Sequence, residues 1–224
     1  MKECIFVIDE IDRKQVLAAL GYSASNLPSE QLLSRFDELL DTVAREVKGL
    51  YVRKNIIGRD NDLVLTDAGV IDSQSFGELA ASADSVAFAL VTAGHEMDEL
   101  LHGCNDMVDA MLLDALGSVI VEQGVELLRN ELSHVLGKYV SLPFSPGYCD
   151  YPLAEQECIF TQLGDSPLGV NYHPVSFMMS PVKTISCILA VGDLPLETNP
   201  CSLCRLEMCQ MRRMTGKNIA EVVA

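Results

Sequence analysis

The sequence predicts an α+β fold, and three observations carry that prediction. Helix-period apolar runs and short, nearly continuous apolar runs occur in blocks, without strict strand–helix alternation. No internal repeat or low-complexity linker divides the 224 residues. A tract of prolines, glycine and aromatics, Phe144-Ser145-Pro146-Gly147-Tyr148-Cys149-Asp150-Tyr151-Pro152, separates long helical patterns on either side.

The elements follow in order. Residues 9–20 read as a short helix, capped by Asp9 or Asp12 and ended by Gly21. Ser29 caps a second helix that reads as running to Leu50, because Leu32, Leu33, Phe36, Leu39, Leu40, Val43 and Val47 recur at helical spacing. Leu50 to Val52, Asp62 to Thr66 and Ser85 to Val91 read as strands, the last nearly all apolar and therefore buried. Gly58-Arg59-Asp60-Asn61-Asp62 reads as a turn and Ser73 to Ala81 as a helix. Gly94 opens a long helical stretch. Met97, Leu100 and Leu101 form one apolar turn, and Met107, Met111, Leu112, Ala115 and Val119 carry the pattern past Glu122 and Glu126 to about Gly137. Beyond the tract, Pro152 suits a first helical position and Glu155 to Leu163 continues as helix. Val170 to Tyr172 and Val182 to Val191 read as strands, and Pro200 to Arg213 as a final helix. The organisation expected is an N-terminal helical segment (1–50) of the same domain, an α+β core (51–195) and a cysteine-rich C-terminal segment (196–224).

The tract cannot be helix interior. Proline fixes φ and removes an amide donor, and Gly147 permits conformations that other residues avoid. It reads as an extended segment that offers backbone groups and Tyr148 to a ligand. A rigid connecting loop that binds nothing is the alternative.

Charge narrows the partners. A net charge of −16 argues against nucleic acid and against anionic membrane surfaces. Hydrophobic residues make up 49%, yet no apolar run approaches the roughly 20 residues needed to span a bilayer. The opening apolar run ends at Asp9, too soon for a signal peptide, so a cytoplasmic chain is expected. Eight cysteines in that reducing setting are not expected to pair as disulfides. Cys4, Cys104, Cys158 and Cys187 sit among apolar neighbours and read as core. His95 and His102, seven apart, read as helix surface, and Ser145 lies outside any Gly-x-Ser-x-Gly elbow, so no hydrolase is implied.

Ser145-Pro146-Gly147-Tyr148, the following helix, Gly169-Val170 and the run Ser176-Phe177-Met178-Met179-Ser180-Pro181-Val182-Lys183-Thr184-Ile185-Ser186 together resemble the reactivation domain of cobalamin-dependent methionine synthase. The resemblance is best over residues 122–192. Asp12 to Leu17 and Gly21-Tyr22 resemble the opening of short stand-alone relatives. It implies a single curved α+β domain with a twisted antiparallel sheet flanked by helices. It also implies binding of S-adenosylmethionine by the tract and a neighbouring helix. Such a domain caps a cobalamin-carrying partner and supports reductive remethylation of the corrinoid. Carried over by residue, Ser145, Pro146, Gly147 and Tyr148 match the tract, Glu126 matches a ligand-facing helical glutamate, and Glu122 lies one turn earlier. For both glutamates a solvated helix face is the competing reading. Two positions depart from the pattern: Pro143 stands where the family has an arginine, and Ile188 and Leu189 where it has an aromatic pair.

Cys201-x2-Cys204-x4-Cys209 lies outside the resembled core. A Cys-x2-Cys turn supplies two ligands to one ion, and three thiolates with a remote fourth suit zinc or a [4Fe-4S] cluster. Cys149 is the candidate fourth ligand, and Arg205, Arg212 and Arg213 would offset thiolate charge. A redox-active thiol pair and ordinary helix cysteines are the other two readings. The function implied is assistance to a corrinoid-dependent methyltransferase such as methionine synthase. The alternative is a corrinoid-protein-binding module that has lost S-adenosylmethionine binding and uses the C-terminal cysteines.

Overall fold

The computed structural model describes residues 1–60, 62–196 and 199–203. Its centre is an antiparallel sheet whose longest member, β2 (Glu46–Asp60), is shared by two partners on one side. β1 (Lys2–Val7) pairs with the first half of β2, Lys2 opposite Tyr51 and Val7 opposite Glu46. β3 (Leu63–Thr66) pairs with the second half, and the register slips between Ile56 and Gly58. That bulge bends the strand and curls the sheet. β4 (Gly69–Asp72) extends this edge. On its other side β2 pairs with β5 (Ser85–Thr92), β5 with β9 (Thr184–Gly192), and β9 with β6 (Tyr139–Val140). A separate two-stranded ribbon joins β7 (Asn171–Tyr172) to β8 (Met179–Ser180).

Helices cover both faces. On one lie α1 (Arg13–Ala19), α2 (Glu30–Leu40), α4 (His95–Gly103) and the 30-residue α5 (Met107–Leu136). On the other lie α3 (Gln74–Leu79), α6 (Gln156–Leu163) and the start of α7 (Pro200–Leu203). The central strands therefore bury both of their faces. On β5, Ala87, Ala89 and Val91 enter the first core, while Val86, Phe88 and Leu90 enter the second. This two-sided burial is why β5 reads as an unbroken apolar run.

Local signals set most helix limits. Asp12 caps α1, Ser29 caps α2, and Asp106 caps α5 by accepting from Val108 N and Asp109 N. Gly137, with φ 62°, ends α5 in the left-handed conformation that glycine tolerates best. Gly124 lets α5 lie directly on the sheet, because a Cβ there would meet Val47 Cγ2 and Val91 Cγ1 at 2.9 Å.

Elements in the first half of the chain differ from the sequence expectation. The helix expected over 29–50 stops at Leu40, and Val43 and Val47 reach the core from a turn and from β2. Val47 fits a helical spacing and a strand alternation equally, and pairing of β2 with β1 and β5 decides for the strand. Residues 1–50 thus begin with a strand, and β2 crosses the boundary drawn at 50. Gly58 to Asp60, expected in a turn, belong to β2. The expected final helix begins at Pro200, and Cys204 to Arg213 lie outside the described residues. Of the four cysteines expected in the core, Cys187 is fully buried, while Cys4, Cys104 and Cys158 are half-buried at its margins.

Candidate functional site

The site begins at the free side of β9. β6 runs along that side, Val140 opposite Val191, and the chain continues through Ser141 N donating to Ala190 O at 2.9 Å. Phe144 and Ile188 then exchange two backbone hydrogen bonds, at 3.0 and 2.9 Å. Among the described residues, ladder partners on this side stop there. The backbone of Ser186, two residues earlier on β9, faces the same way.

The tract takes over where the ladder ends, and it is folded on itself rather than extended. Tyr148 N donates to Ser145 O at 3.0 Å, closing a turn with Pro146 second and Gly147, φ 91°, third. Proline followed by a positive-φ glycine is what a type II turn requires. Gly147 N then donates to Tyr151 O at 2.8 Å and Tyr151 N to Tyr148 O at 2.9 Å. The amides of Phe144, Gly147, Tyr148 and Tyr151 are consumed inside the protein, so the expectation of a tract offering its N–H groups to a ligand needs correction. Phe144, Pro146 and Tyr151 are buried, while Gly147 and Tyr148 face solvent. The Tyr148 ring meets the buried Phe144 ring edge-on at 6.4 Å, which fixes its orientation.

Asp150 anchors the turn to α3. Its carboxylate accepts from Ser73 Oγ at 2.9 Å, Gln74 N at 2.6 Å and Ser75 N at 3.3 Å. Partial burial alone would raise this carboxyl. The bonds from Ser75, Ser73 and Gln74 outweigh that and hold it below the usual carboxylate range.

α5 supplies a polar stripe at four-residue spacing: Asp114, Ser118, Glu122 and Glu126. At its N-terminal end Lys183, 7% exposed, donates from Nζ to Asp114 Oδ1 at 2.7 Å and to Ser118 Oγ at 3.0 Å. Gly117 leaves room for the lysine stem, since a Cβ there would lie 2.9 Å from Lys183 Cγ. Glu122, exposed to solvent, lines a groove of about 920 Å³ between α1 and α5, opposite Lys14 and Gln15, and partial desolvation there raises its carboxyl. Glu126 accepts from Arg129 Nη2 at 2.8 Å and Nε at 3.0 Å, and Arg129 Nη1 reaches Val140 O at 3.4 Å. One guanidinium thus ties the stripe to β6.

The structure therefore joins Ser145, Pro146, Gly147, Tyr148 and Cys149 in one double turn, and it sets Glu122 and Glu126 on one helix face, in separate surroundings. Ile188 and Leu189 are fully buried, on opposite faces of β9. Neither position can touch a ligand, so no exposed aromatic contact is lost at these two residues. Sequence reasoning missed Lys183, Arg129 and Asp150. A lysine at the head of an otherwise apolar strand run was the available signal for the first. Among the described residues no three His, Cys, Asp or Glu side chains are grouped to hold a metal ion. Cys204 and Cys209 lie outside those residues. No described helix is long and apolar enough to cross a membrane.

No protein-family model matches the chain, and no curated protein matches it. A solved structure does: the crystal structure of the MetH reactivation domain bound to AdoHcy superposes with a TM-score of 0.62. The match covers 99% of this chain and 87% of that one at 15% identity. The chain has the same fold, a curled antiparallel sheet with helices on both faces.

Proposed function

We propose that this chain works as a reactivation-domain-like protein, binding S-adenosylmethionine and assisting a corrinoid-dependent methyltransferase such as methionine synthase. The observation that carries the reading is the whole-chain fold match to a reactivation domain crystallised with AdoHcy, the demethylated form of that methyl donor. Support comes from the chain's own surface. The double turn is held by internal hydrogen bonds, so a ligand meeting Tyr148 would not have to order it. Glu122 and Glu126 add negative charge along α5, Glu126 through a carboxylate that Arg129 already bonds. Cobalamin would belong to the partner, where its cobalt would accept the methyl group in the reduced state.

Pro143 favours a second reading. It is half-buried and carries no charge, and Arg129 of α5 already serves Glu126 and Val140. A ligand carboxylate therefore has no evident partner, and the protein would then act as a corrinoid-protein-binding module without the methyl donor. Calorimetric titration with S-adenosylmethionine and with its demethylated product separates the two. Binding should appear, and Pro143→Arg should tighten it by about 1.5–3 kcal/mol, the worth of a hydrogen bond to a charged group. No heat at millimolar ligand, in wild type and variant alike, would overturn the donor role and leave the docking reading.

A further inference from the structure

We propose that the groove between α1 and α5 is a docking site for an amphipathic helix of a partner protein, one that carries lysine or arginine along the edge facing α5. The groove holds about 920 Å³, and none of its lining residues belongs to the turn that carries Tyr148. Its α5 wall runs from Met107 to Glu122, which at 1.5 Å per residue is about 22 Å, or about four helical turns. A compact small molecule fills only part of that length. A helix laid along the groove fills all of it.

The floor is apolar and the walls are already fixed. Leu20, Ala110, Met111, Ala115 and Val119 line the groove, and at one end Met107 and Met111 are 78% and 54% exposed. Two large apolar side chains left in water on successive turns of one helix mark a contact surface. Methionine suits it, because its unbranched, polarizable chain adapts to a guest. Gln123 of α5 donates to Glu10 O at 2.9 Å and accepts from Asp12 N at 3.3 Å, which holds the start of α1. Behind the α5 wall Lys183 bonds Asp114 and Ser118. A guest therefore meets a groove that needs no ordering.

Charge selects the guest. Asp114 pairs with Lys183 yet keeps 63% of its side chain in solvent. Glu122 is exposed one turn past Ser118 on the same wall. Lys14 stands exposed on the opposite wall. A helix with a basic edge against α5 and an acidic edge against α1 satisfies both walls, and it does so in one direction only. A second copy is the poorer guest, since it brings a charge of −16 to a charge of −16. Nucleic acid and anionic membrane carry the same sign as the chain.

The test uses the full chain and a synthetic helical peptide of about 15 residues, with leucine at i, i+3, i+4 and i+7 and lysine on the flanks. Titration followed by fluorescence anisotropy should give a dissociation constant below about 100 μM. A scrambled peptide of the same composition, and one with glutamate in place of lysine, should each bind about tenfold more weakly. Met111→Glu should weaken the lysine peptide about tenfold, while Val70→Glu, exposed on β4, should not. Glu122→Lys should turn the preference toward the glutamate peptide. Absence of binding at about 100 μM, equal binding of the scrambled peptide, or an unaltered preference in Glu122→Lys overturns the proposal. A wild-type dimer that Met111→Glu dissociates, read by sedimentation, gives the groove to a second copy and also overturns it. Should Met111→Glu fail to fold, peroxide oxidation of the wild type decides. The lysine peptide should slow oxidation of Met107 and Met111 and leave Met178, 57% exposed beside β8, as reactive as before. Equal oxidation of Met107 and Met111 with and without peptide overturns the proposal.

Discussion

Replacing Asp150 by alanine tests whether the candidate turn is held where it is by a carboxylate. In the wild type that carboxylate accepts from Gln74 N and Ser75 N, two amides at the start of α3 that have no helical partner. Ser73 cannot replace it, because its own hydroxyl accepts from Phe76 N at 3.1 Å while donating to Asp150. A helix N-cap is worth about 1 kcal/mol, and a hydrogen bond to a charged group about 1.5–3 kcal/mol. Asp150 is exposed, so solvent screening pulls the total toward the low end, about 2 kcal/mol for alanine and about half that for asparagine. At about 2–4 °C per kcal/mol for a chain of this size, Asp150→Ala should melt about 4–8 °C below wild type at pH 7. The pH dependence gives an independent check. Hydrogen bonding holds the folded carboxyl below its unfolded value, so folding favours the ionised form. The stabilisation is complete above the unfolded pKa and is lost as pH falls through the folded one. The gap between wild type and variant should therefore narrow toward pH 3. Melting followed by circular dichroism at both pH values measures it. A gap under about 1 °C at pH 7, or one that does not narrow in acid, would refute the reasoning.

Two further perturbations probe α5. Gly124→Ala places a Cβ 2.9 Å from Val47 and Val91, and overpacking of about 1–3 kcal/mol should exceed the helix-propensity gain of about 1 kcal/mol, lowering the urea midpoint. An unchanged or higher midpoint would mean that helix and sheet part more easily than the packing implies. Glu122 has a folded pKa raised by desolvation, so its ionisation opposes folding once the pH exceeds the unfolded pKa. Glu122→Gln should accordingly stabilise the protein at pH 7 and lose that advantage toward pH 4. An equal effect at both pH values would show that the carboxyl is fully hydrated.

By itself the sequence determined what short-range energies decide. Ser29, Ser73, Asp106 and Gly137 carry cap chemistry, and each bounds a helix in the folded protein. The unbroken apolar run of Ser85 to Val91 required a strand buried on both faces. Pro146-Gly147 required a tight turn, since only glycine adopts φ 91° there without strain. Other features belonged to the tertiary structure alone. Whether Val47 continues a helix or enters a strand depends on β1 and β5, whose partners lie tens of residues away. β1 carries strand-favouring Ile5, Phe6 and Val7, but its partner and register are fixed only where β2 accepts its hydrogen bonds. The pairing of Lys183 with Asp114, the anchoring of α3 by Asp150 and the contact of Cys149 with Pro200 join residues that the chain separates by 69, 76 and 51 positions. Caps and turns are settled within one turn of backbone. Contacts across a sheet depend on which strand lies beside which and on which face a side chain leaves, and only the assembled fold supplies both.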